Sequence, residues 1–167
     1  MAIVVLLVAG GTDLVAQTKM RIGVFDSRAV AIAHGNSPER GEYVSKLQSE
    51  LAKAKLAEDG VRAKEIEAKG KSAQILAHLQ AFSTSSVSDI LQKHKSEIYR
   101  IAIEMDVAAI VSKFELIYFR GGMEKVEVTA RLVEMFKPGP QAQKWIKEIT
   151  KQNPLPLIDA LSVPEDH

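Results

Sequence analysis

The sequence predicts an α+β protein in which both ends of the chain build a small β-sheet body. The middle, over about residues 38–105, is expected to project from that body as an antiparallel helical hairpin, a coiled-coil arm. Three observations carry this expectation. A short alternating run near residue 21 and two apolar, β-branched runs after residue 106 read as strands. Between them, apolar residues recur every three or four positions, the period of an amphipathic helix. A cluster of hydroxyl residues, Ser83-Thr84-Ser85-Ser86, interrupts that helical stretch where a hairpin would turn.

Taken in order, Arg21 to Asp26 places Ile22 and Val24 on one face of a strand and Gly23 and Phe25 on the other. Ser27 to Ala33 is small and apolar and reads as a short helix behind it. His34-Gly35-Asn36-Ser37-Pro38 breaks the chain, with Ser37 suited to cap the next helix and Pro38 to open it. Val44, Leu47, Leu51 and Ala54 then mark a helical seam. Glu58-Asp59-Gly60 predicts a bend, after which Ile66, Ala73, Leu76 and Leu79 resume the pattern. The hairpin tip is placed near Phe82 to Ser86, and Ser86 with Asp89 suggests a capping box. The returning helix carries Val87, Ile90, His94, Ile98, Ile101 and Met105.

Beyond Met105 the period falls back towards two. Ala108 to Val111 and Glu115 to Phe119 read as strands, and Gly121-Gly122 ends the second. Val126 and Val128 suggest one more short strand, followed by a helix over Leu132, Val133 and Phe136 that Thr129 is placed to cap. Pro138-Gly139-Pro140 separates a short amphipathic helix around Trp145, Ile146 and Ile149 from the body, and a Pro-rich tail follows Pro154.

Composition narrows the function. The formal net charge is +1, from 22 basic and 21 acidic residues, whereas a protein held to phosphates carries a basic excess. Aromatic residues make up 5%, too few for a platform stacking single-stranded bases. No nucleic-acid partner is expected. The chain has no cysteine, which excludes thiolate zinc sites, thiol redox chemistry and cysteine nucleophiles. Residues 1–18 read as a signal peptide: Ile3 to Ala9 is apolar and has the length of a leader core, too short to span a bilayer. No Lys or Arg precedes that run, so a buried strand is the alternative. Cleavage near Ala16 or Gln17 would start the mature chain close to Thr18-Lys19.

No catalytic, cofactor-binding or metal-binding constellation emerges. His34, His78, His94 and His167 lack the spacing of a metalloenzyme motif, and His94 occupies a seam position where packing explains it. Gly10-Gly11 and Gly121-Gly122 lack the surroundings of a phosphate loop. Leu47, Leu51, Ile98 and Ile101 read as packing positions. Phe82 and Trp145 are the candidates for contact with a client or partner, because tips and short terminal helices leave aromatics hard to cover.

Particular segments resemble the Skp/OmpH family of periplasmic chaperones. Lys19-Met20-Arg21-Ile22-Gly23-Val24-Phe25-Asp26 is similar to the family's opening strand. Asp106 to Val111 and Glu115 to Phe119 resemble its two later strands, and Val126-Glu127-Val128-Thr129 through Val133 its closing helix start. The resemblance covers roughly residues 19–137, leaving 138–167 as an added short helix and tail. It implies a homotrimer in the periplasm or cell envelope that holds unfolded outer-membrane proteins without ATP, cofactor or catalysis. A non-catalytic scaffolding protein that binds one folded envelope partner is the alternative.

Overall fold

A computed structural model describes residues 19–162, so the expected leader (1–18) and His167 lie outside the described residues. Strand β1 (Arg21–Phe25) is followed by α1 (Ser27–Gly35), α2 (Pro38–Leu56) and α3 (Gly60–Phe82). Next come α4 (Ser88–Leu91), a single 3-10 turn (Gln92–His94), α5 (Lys95–Glu104) and β2 (Ala109–Ser112). The chain closes with β3 (Glu124–Glu127), α6 (Thr129–Glu134), α7 (Pro140–Ile149) and α8 (Leu157–Ala160).

The three strands form one sheet in the order β2-β1-β3. Both outer strands run parallel to β1, with Ile22 opposite Ala109 on one side and Arg21 opposite Glu124 on the other. Gly23 sits at the crowded centre. A Cβ there would meet Ile110 Cγ1 at 3.1 Å and Val128 Cγ1 at 3.2 Å, so a side chain would have to push these neighbours aside by a few tenths of an ångström. Because the strands are parallel, all three end at the same edge, and the residues following them, Asp26, Lys113 and Val128-Thr129, gather there.

The helix ends follow local chemistry. Asp26 accepts a hydrogen bond from the Arg28 amide to cap α1, Ser37 one from Arg40 at 3.2 Å to cap α2, and Asp59 one from Arg62 at 2.9 Å to cap α3. Glu58, Asp106 and Lys137 adopt positive φ of 54°, 52° and 49°, each just beyond a helix, which turns the chain out of its helical path.

The expected division into sheet body and projecting arm is not what forms. Among the described residues 61% are helical, with a small parallel sheet of three strands, and the hairpin expected over 38–105 with its tip at Phe82–Ser86 is not what they form. The physical reason lies in the residues assigned to the tip and the returning helix. Ser83 is fully buried, Gln80 donates to the Ser86 carbonyl at 2.9 Å and to Asp89 at 2.7 Å, and the Leu155 amide donates to the Phe82 carbonyl at 2.8 Å. The segment read as the hairpin tip is instead a hydrogen-bonded corner anchored by the buried Ser83, with Thr84 and Ser86 left exposed. Val87, Ile90 and Ile101 join Phe25, Val30 and Leu132 in the main core, and Ile98 packs against it. The seam of the returning segment enters a mixed core with β1, α1 and α6 and does not zip along the preceding helix.

The chain reverses between α2 and α3, at the bend around Glu58. The pairs Lys55–Glu67 (2.9 Å) and Arg62–Glu50 (3.3 Å) bind the two helices side by side over a small separate cluster of Ala54, Ala63 and Ile66. Helix α1 packs against α3, α6 and α7 and links this pair to the rest. The strand expected over Glu115–Phe119 does not form either. That segment leaves the sheet, with Ile117 98% exposed, because β1 has already paired on its second side with β3. Thr129 begins α6 without capping it, its hydroxyl being committed elsewhere.

Candidate functional site

Two clefts flank α7, and each collects residues from distant parts of the sequence. The first, of about 440 Å³, lies between α1, the end of α3 and α7 and is lined by Ala31, Ile32, Ala81, Phe82, Trp145 and Ile149 among others. The two aromatic residues singled out from the sequence therefore come together here. Phe82 is half-buried and held edge-on by His78, with ring centroids 5.3 Å apart, while Trp145 is 49% exposed. Nothing charged converges on this wall apart from Glu148, so the cleft suits an apolar side chain better than a polar metabolite.

The second cleft, of about 660 Å³, opens at the carboxyl edge of the sheet. Its floor is an ionic cluster that the sequence analysis did not identify. Asp26 and Arg28 are 2% and 0% exposed. Asp26 Oδ1 accepts from the Arg28 amide at 3.0 Å and from Arg28 Nε at 3.1 Å; Oδ2 accepts from Arg28 Nη2 and from Lys113 Nζ, both at 2.8 Å. Arg28 Nη2 also donates to the Gln152 carbonyl at 3.0 Å, and its guanidinium lies 5.0 Å from the centre of the Phe114 ring. From the third strand end, the Thr129 hydroxyl accepts from the Asp26 amide at 2.9 Å and donates to Glu127. One acidic residue just beyond the central strand is thus tied to the ends of both neighbours.

Burial pushes the Asp26 carboxyl up, but the hydrogen bonds and positive charges of Arg28 and Lys113 outweigh it and hold the pKa below its ordinary value of 3.8. At the far side of α1, His34 and His94 both stand edge-on to Phe136, at 5.7 and 5.0 Å, and His94 Nε2 lies 3.6 Å from Glu39. Burial pushes His34 below its ordinary 6.5, only partly offset by the charge of Glu39. Both shifts are depressions, so the unfolded chain binds more protons and acid favours it. Stability is expected to hold above pH 6.5, to fall as pH drops from 6.5 through the depressed His34 value and then level off, and to fall again from 3.8 downward through the depressed Asp26 value. Urea melts across this range check it, and His34→Leu should flatten the upper step while leaving the lower one.

Among the described residues, no three His, Asp or Glu side chains converge as a metal site would require, and no helix is long and apolar enough to cross a membrane. The polar cluster left little trace in the sequence because its members are dispersed. Its one signal is positional: Asp26 directly follows β1 and Lys113 directly follows β2, in a sheet whose strands turn out to be parallel. Comparison of the chain with protein-family models, curated proteins and solved structures gives no match.

Proposed function

We propose that this protein holds polypeptides without transforming them, taking apolar side chains of unfolded envelope proteins into the cleft framed by Phe82 and Trp145. The observation that carries the reading is the meeting of these two aromatics on one apolar wall with Trp145 half exposed. A large aromatic left half exposed beside a largely apolar wall is the kind of surface that gains most from covering. Binding of this type draws on buried apolar area and needs neither nucleotide nor metal. The resemblance at the two ends of the chain to envelope chaperones points the same way. No enclosing arm is part of this reading; the contact surface is a cleft on the body.

Suppression of light scattering by a urea-diluted outer-membrane protein tests it. The wild-type chain should delay aggregation, and Trp145→Ala should weaken client binding by about 2 kcal/mol, roughly thirtyfold, with the unfolding midpoint unchanged. Equal protection by wild type and variant, or none from either, would remove the reading.

A further inference from the structure

We propose that the cleft at the carboxyl edge of the sheet is a binding site for a small amphipathic organic anion, with Lys113, Lys137 and Lys147 meeting its charged group and Val133 and Ile146 its apolar body. The location is the first argument. In parallel sheets, ligands settle outside the carboxyl ends of the strands, where loops from several strands converge on one crevice. Here all three strand ends contribute, through Asp26, Lys113 and Thr129.

Charge is the second argument. The acidic groups at the cleft are already engaged. Asp26 accepts from Arg28 and Lys113, Glu127 accepts from the Thr129 amide at 2.8 Å and from its hydroxyl, and Glu134 lies 3.5 Å from Arg131. Asp26 carries one negative charge against the two cations Arg28 and Lys113, so the trio keeps a net positive charge. The Glu127 carboxylate, bonded only to neutral donors, offsets it. The positive excess at the wall comes from Lys137 and Lys147. Lys137 and Lys147 line the same cleft and, among the described residues, have no carboxylate within 4.0 Å. The left-handed backbone of Lys137 (φ 49°) is what turns the chain there from α6 towards Pro138.

The walls supply the third argument. Ala130, Val133, Pro138 and Ile146 face the cleft beside these cations, and its volume of about 660 Å³ is that of a small-molecule site. A bare inorganic ion would leave those walls uncovered, and a neutral apolar molecule would leave the lysines unanswered. The inference stands apart from the polypeptide-holding reading, because the two clefts use different faces of α7.

Amide-resolved NMR titration of the full chain tests it, with hexanoate and hexyl phosphate as probes sharing an anionic head and a short apolar body. Both should give saturable shifts at Lys113, Thr129, Ala130 and Ile146, and the tighter one identifies the preferred head group. Lys137→Gln and Lys147→Gln should each weaken binding about threefold and together about tenfold, and added salt should weaken it further. Inorganic phosphate alone should bind at least about tenfold more weakly than hexyl phosphate, because it covers no apolar wall. Equal shifts from hexylammonium, an unchanged affinity in the double variant, or no saturable shift at these amides would each overturn the proposal. Shifts confined to the surroundings of Phe82 and Trp145 would assign the anion to the other cleft and also overturn it.

Discussion

Replacing Arg28 with methionine is expected to destabilise the protein by about 3–5 kcal/mol, read as a fall in the urea midpoint at unchanged slope. The side chain is wholly buried, and Arg28 as a whole supplies three of the hydrogen bonds that Asp26 accepts. One of these comes from the backbone amide and survives the substitution; the two from the guanidinium do not. Asp26 would then keep only the Lys113 ammonium as a cation, in a place where water cannot replace the lost partner. Losing a single member of a buried pair costs more than losing both, since the survivor stays charged and unanswered. The double variant Asp26→Leu with Arg28→Met should accordingly be more stable than Arg28→Met alone. If it is less stable, the pair contributes through something other than mutual compensation.

Leu132→Ala is the second large effect expected, about 2–5 kcal/mol by the same measurement. Leu132 is fully buried on α6 within the cluster that holds Phe25, Val30 and Ile101, so truncation opens a cavity where helix meets sheet. Leu56→Ala offers the contrast. That side chain is 86% exposed at the end of α2, and its loss should change stability by no more than about 0.5 kcal/mol. A large loss at Leu56 would mean that the α2–α3 turn is covered by something in solution.

The local grammar of the chain was largely readable. Strand β1 and the Ser37-Pro38 helix start depend on residues close in sequence, and they fall where alternation and capping place them. Glu58-Asp59-Gly60 does interrupt the helix, but the chain reverses there, turning at Glu58, instead of bending within one long helical region. What could not be read was which face meets which. The seam of Val87, Ile90, Ile98 and Ile101 is compatible with packing on a partner helix or on a sheet, because both demand the same apolar stripe. A mixed core with β1, α1 and α6 took it. Ser83 to Ser86 read as a tip because hydroxyls are usually answered by water, but the Ser83 and Ser85 hydroxyls are answered by one another and by the Leu79 carbonyl.

Strand direction was the other hidden quantity. Periodicity gives a strand but not its polarity, and the polarity decides everything about the carboxyl edge. Had β2 run against β1, Lys113 would lie at the opposite end of the sheet from Asp26. Of the sites, Phe82 and Trp145 were legible as aromatics in awkward positions, though their common cleft was not. Asp26 and Arg28 were not legible at all, since a helix cap and a lone arginine are ordinary on a protein surface.

Helix α7 stands between two chambers, turning Trp145 and Ile149 to one and Ile146 and Thr150 to the other. Were a guest in one chamber to shift that wall, the welcome offered in the other would change with it. Reciprocity then fixes the traffic in both directions, for a small anion that tightens the grip on a chain segment must itself be gripped more tightly, by the same factor, once that segment is seated.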